Sequence, residues 1–125
     1  MNFTKAGIIL NTENYEDCVH FYGGTLGLPL LHQIDRPGEK LTTYALGETY
    51  LMIETEGTSC TGTKPVDICP AKFRFNVPDV EATSDALRRK GVDIEVNHYS
   101  WGVTAEFSDP DGNRCALRSD EGFGF

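Results

Sequence analysis

The chain has 125 residues, 39% of them hydrophobic and 24% charged, an ordinary globular mixture that excludes a disordered or fibrous protein and allows one substantial core. Its formal net charge of −8 and pI near 4.7 argue against nucleic acid and anionic membrane surfaces, which repel such a field. No run approaches the ~18 apolar residues of a spanning helix, and the start MNFTKAGIIL lacks the apolar core and cleavage site of a secretory signal; a cytoplasmic protein is expected.

Ala6 to Asn11 is a short apolar run with the length and branched content of a strand. Asn14 is placed to cap a helix, Glu16 and Asp17 complement its dipole, and Cys18, Val19, Phe21 and Tyr22 supply its apolar contacts. Gly23-Gly24 is expected to stop it. Leu28 to Ile34 reads as a second strand, followed by a turn at 36–39, and Leu41 to Leu46 and Tyr50 to Thr55 as two more, joined across Gly47-Glu48. Residues 56–70 are rich in Gly, Ser, Thr, Cys and Pro without periodicity, in the manner of a linker.

The pattern then restarts. Lys72 to Val77 alternates, with Phe73, Phe75 and Val77 on one face and Lys72, Arg74 and Asn76 on the other. Asp79 caps a helix reaching about Lys90, and Gly91 ends it. Strands follow at Val92 to His98, Val103 to Ser108 and, after the turn DPDGN, Arg114 to Arg118. The second half thus repeats the first at an offset of about 62 to 66 residues. One α+β domain over residues 1–125 is predicted, made of two βαβββ modules, about 3–55 and 71–118, joined by the linker 56–70.

The stretches FYGGTLGLPLL, VPDVEATSDALRRKGV and WGVTAEFSDPDGN, in this order and spacing, resemble the vicinal oxygen chelate superfamily, the glyoxalase, bleomycin resistance and extradiol dioxygenase group. The likeness runs from about residue 3 to residue 118. It implies a curved eight-stranded mixed sheet around a cup, with the helices outside, and a homodimer. It also implies metal-ligand positions on the first and last strand of each module, which fall on Gly7, Glu54, Lys72 and Ala116. Of these only Glu54 has a donor suited to a divalent cation. One carboxylate does not hold a catalytic ion, which needs about three protein ligands, and a lysine ammonium opposes one. No metal or other cofactor is therefore expected.

Period-two alternation around those positions gives the cup lining: Tyr50 and Met52 beside Glu54, Ile9 and Asn11 beside Gly7, Arg74 and Asn76 beside Lys72, Arg114 and Arg118 beside Ala116. A Glu54–Lys72 charge pair is expected in place of the metal, leaving Arg74 or Arg114 for an anionic ligand group; the competing reading has the arginines reaching to solvent from strand ends. Ligand-binding candidates are Tyr50, Met52, Glu54, Lys72, Arg74, Arg114 and Trp101, with Glu54 the best catalytic candidate. His32 and His98 occupy related places in the two modules, where a surface role competes with a ligand role, and His20 is set on an outer helix. Four cysteines, Cys18, Cys60, Cys69 and Cys115, match no C-x-x-C or zinc-finger spacing and are read as free thiols.

The function implied is a metal-free protein of the bleomycin resistance type that binds or sequesters a small organic molecule. The alternative is a metal-dependent lyase, isomerase or dioxygenase with a displaced site of Glu54 and histidines holding Zn, Ni, Fe or Mn. Neither nucleic acid nor membrane is an expected partner.

Overall fold

The computed structural model describes residues 1–124. It contains eight strands: β1 (Gly7–Asn11), β2 (Leu30–Arg36), β3 (Glu39–Leu46), β4 (Thr49–Glu54), β5 (Phe73–Val77), β6 (Glu95–Tyr99), β7 (Gly102–Ser108) and β8 (Arg114–Ser119). Helix α1 (Tyr15–Val19) follows β1, and α2 (Val80–Arg89) follows β5. The α+β class and the twofold βαβββ order are as the periodicity predicts. The ladders run within each module, so the eight strands are two four-stranded sheets, ordered β1-β4-β3-β2 and β5-β8-β7-β6. In each, the first and last strands are parallel and the remaining pairs antiparallel. The chain divides into two compact units, Met1–Ser59 and Cys60 onward.

In the first unit the core lies between the sheet and α1. Leu51 and Ile53 of β4 are fully buried, as are Cys18 and Tyr22. The Tyr15 hydroxyl meets Thr42 Oγ1 at 2.6 Å, and the Tyr44 hydroxyl donates to the Val19 carbonyl at 2.9 Å. Gly23-Gly24 does not stop the helix: α1 runs on into a π-helical stretch, His20–Thr25, that contains both glycines. Gly23 packs against Tyr44, whose ring and hydroxyl a Cβ at this position would crowd. Asn14 precedes the helix but its side chain makes no capping bond.

The second unit follows sequence logic closely. The Asp79 side chain accepts from the Ala82 amide at 3.0 Å, Arg88 and Arg89 close the last turn, and Gly91 takes the left-handed conformation (φ 92°) that terminates a helix without Cβ strain. Val80 and Leu87 of α2 are buried, and the alternation of β5 and β8 turns Phe73, Phe75, Cys115 and Leu117 to the same side. In the turn after β7, Asp109 accepts from the amides of Asp111 and Asn113 at 2.9 and 2.8 Å and from the Asn113 side chain at 2.8 Å. Part of the expected linker is built onto this turn, since the Cys60 amide donates to the Asp111 carbonyl and the Lys64 amide to that of Gly112.

All four cysteines are free thiols. No helix among the described residues is long and apolar enough to cross a membrane.

Candidate functional site

Each sheet buries one face under its helix and turns the other away from it. In the first unit the register pairs Gly7 with Tyr50, Ile9 with Met52 and Asn11 with Glu54, and Thr43 with both Met52 and His32. Paired residues share a face, so Tyr50, Met52 and Glu54 lie together on the side opposite α1, all half-buried. A Cβ on Gly7 would clash with the Tyr50 ring. The glycine is thus the condition for the ring's position.

In the second unit the register pairs Arg74 with Ala116, Ala116 with Glu106, and Glu106 with Glu95. The face opposite α2 therefore carries Lys72, Arg74, Arg114 and Arg118, together with Glu106 and Glu95. Neither glutamate is among the residues that the sequence singles out. Their parity along each strand is legible, but which face it belongs to depends on register across strands, which alternation does not give.

The charge pairing differs from expectation. Lys72 meets Glu106, at 3.0 and 3.3 Å to its two oxygens, in place of the expected Glu54. Lys72 extends the β5 alternation beside Arg114, and Glu106 stands two strands over on β7, across β8 and on the same face, within reach of a long side chain. Arg118, counted among the cup-lining cations, is 4% exposed and serves the chain itself. It donates to the Ser119 carbonyl and hydroxyl, both at 2.6 Å, to the Glu121 carbonyl at 3.2 Å and to the Trp101 carbonyl at 2.9 Å. Trp101 is 53% exposed, stacked on Tyr99 with centroids 4.8 Å apart and 5.1 Å from the Arg118 guanidinium. Arg74 lies over the Phe123 ring at 5.5 Å. His98 pairs with Glu81 of α2 at 2.8 Å, on the helix side of its sheet.

A cavity of about 350 Å³ opens in the second unit, lined by Asp93, Glu95, Glu106 and Arg114 with Phe107 at its wall and Gly62-Thr63 at its rim. Of the predicted ligand residues only Arg114 lines it. Arg114 donates to the Cys69 carbonyl at 3.2 Å, which fixes one end of its guanidinium. A wider, more open depression of about 610 Å³ lies by the β2–β3 turn of the first unit, between the Arg36–Glu39 pair and Lys40. Lys40 bonds Glu16 at 2.7 Å, and this hydrogen bond, then the glutamate's charge, raises the ammonium's pKa.

The four positions that the resemblance marks for metal ligands do not fit a divalent ion. Gly7 has no side chain and lies under Tyr50, Lys72 is an ion-paired cation, and Ala116 is 1% exposed and has no donor. Glu54 alone could coordinate. Among the described residues no three His, Cys, Asp or Glu side chains come together to hold a metal.

Comparison with solved structures gives the same fold repeatedly. An antibiotic-binding protein from a Streptomyces species superposes with a TM-score of 0.71 at 22% identity, covering 95% of this chain and 98% of that one. A lactoylglutathione lyase from Agrobacterium tumefaciens gives 0.72 at 15%, covering 100% and 99%. A glyoxalase/bleomycin resistance protein/dioxygenase superfamily member from Sphaerobacter thermophilus gives 0.72 at 18%, covering 95% and 98%. At these identities the likeness establishes the fold. No protein of curated function matches the chain. The sequence model of one family matches residues 6–117, spanning both modules, and the chain belongs to that family, the glyoxalase/bleomycin resistance protein/dioxygenase superfamily.

Proposed function

We propose that this protein binds a small organic molecule without a metal ion, sequestering it on the sheet faces turned away from the helices. Arg114 and the cavity beside it anchor the ligand, Lys72, Arg74 and Trp101 belong to the same second unit, and Tyr50, Met52 and Glu54 form the candidate face of the first unit. The observation that carries this reading is the replacement of metal donors by groups with other duties: Tyr50 over Gly7 and Lys72 in its pair with Glu106. The similar fold of an antibiotic-binding protein supports binding as an end in itself. A homodimer in the cytoplasm, with no nucleic acid or membrane partner, completes the proposal, and the net charge of −8 accords with it.

The metal-dependent alternative would draw on Glu54 and His32, because His98 is engaged with Glu81 on the helix side. Metal content and ligand stabilisation together decide between the two. The purified protein is expected to carry no stoichiometric zinc, nickel, iron or manganese, to keep its Tm after chelation, and to gain Tm with a binding ligand from a broad small-molecule screen. One equivalent of metal lost on substituting Glu54→Gln would establish the alternative.

A further inference from the structure

We propose that the cavity of the second unit selects an amphoteric molecule, one with an ammonium group at one end and a carboxylate or similar anion at the other. This rests on the reading above that the cavity holds a ligand. Glu95 and Glu106 are direct cross-strand partners, an arrangement of like charges that costs stability unless a cation intervenes. Lys72 neutralises Glu106. Glu95 remains, joined at the cavity wall by Asp93, and Arg114 stands on the same wall.

Among the described residues no cation lies within ion-pair distance of Asp93 or Glu95, and no carboxylate lies within that distance of Arg114. Opposite charges thus line one small cavity without meeting. A ligand carrying both charges spans that gap, offering its ammonium to the carboxylates and its anion to the fork of Arg114, whose planar donors suit a carboxylate. A purely anionic ligand would bring its charge against Asp93 and Glu95, and a purely cationic one would bring its charge against Arg114. Selection therefore works through repulsion as well as attraction. The volume of about 350 Å³ is at the lower end for ligand pockets and suits a small molecule.

The test is a calorimetric and thermal-shift comparison of free amino acids and dipeptides with their methyl esters, which keep only the cation, and their N-acetyl forms, which keep only the anion. The parent zwitterion of a binding series should bind about tenfold or more tightly than either derivative. Arg114→Gln should erase its advantage over the ester, and Glu95→Gln its advantage over the N-acetyl form, with circular dichroism confirming that both variants fold. Equal binding of a derivative, or insensitivity to both substitutions, overturns the selection. So does a panel in which nothing binds while the broad screen yields a neutral ligand, and in that case the binding function itself stands. If neither the panel nor the screen raises Tm, both readings fall.

Discussion

The ring of Tyr50 fills the space into which a side chain at position 7 would project. The two residues are direct partners on the parallel strands β1 and β4, so a side chain at position 7 requires the half-buried ring to swing out of its place. Gly7→Ala should accordingly destabilise the protein by about 1–3 kcal/mol, the usual cost of overpacking. In a Tyr50→Ala background the same change should cost little, because the obstacle is gone. A double-mutant cycle from urea unfolding reads the coupling directly. Additive effects of the two substitutions would show that the ring is not held over the glycine.

The Lys72–Glu106 pair is worth less than its geometry suggests. The two side chains are 29% and 46% exposed, and water and salt screen pairs of this kind to below about 1 kcal/mol. Lys72→Met and Glu106→Gln should therefore couple weakly, with the coupling fading as ionic strength rises. A coupling of several kcal/mol, or one indifferent to salt, would contradict this assignment of an exposed pair.

Arg118 behaves as a structural clamp. Its guanidinium ties the β6–β7 turn, through the Trp101 carbonyl, to Ser119 and Glu121 at the end of β8 and beyond it. Arg118→Leu leaves these acceptors without their charged donor and should cost about 2–3 kcal/mol. Arg118→Lys should rescue little, since an ammonium cannot reproduce the fork. Trp101 is the sole tryptophan, so its emission reports the turn separately from global unfolding: a shift to longer wavelength is expected in both variants. Unchanged emission with unchanged stability would remove the clamp.

Local signals make the fold legible, and long-range ones leave part of the surface hidden. Asp79 and Gly91 bracket α2 because capping chemistry is written in neighbouring residues, and the alternation of β5 by itself separates Phe73 and Phe75 from Lys72 and Arg74. Gly23-Gly24 reads as a stop, yet the helix continues through it; position 23 instead meets a tertiary constraint, the ring of Tyr44, which leaves no room for a Cβ and which no adjacent residue encodes. The same limit hides Glu95 and Glu106. Strand parity is local, but which strands lie side by side, and in what register, is a property of the whole sheet. The partner of Lys72 therefore depends on how β5, β8 and β7 align. The four metal-ligand positions, by contrast, come from resemblance, and their chemistry follows from residue type alone.

Tyr44 gives the first unit a defined response to alkaline pH. Its ring is buried, and burial, followed by the proximity of Tyr15, raises the phenol above its ordinary value of 10.0. The neutral phenol is the form that donates to the Val19 carbonyl. A folded-state pKa above the unfolded one means that the folded chain holds the proton more tightly, so this contribution is complete below the unfolded value and is lost as pH rises through the folded one. At pH 7, Tyr44→Phe should lose the hydrogen bond and about 1 kcal/mol of stability. Above about pH 10 the gap between wild type and variant should narrow, because the wild type alone must then bury a phenolate or keep a proton that its unfolded chain has released. Urea unfolding of both proteins between about pH 7 and pH 11 measures the gap, and a difference that stays constant across that range would exclude Tyr44 as the titrating group.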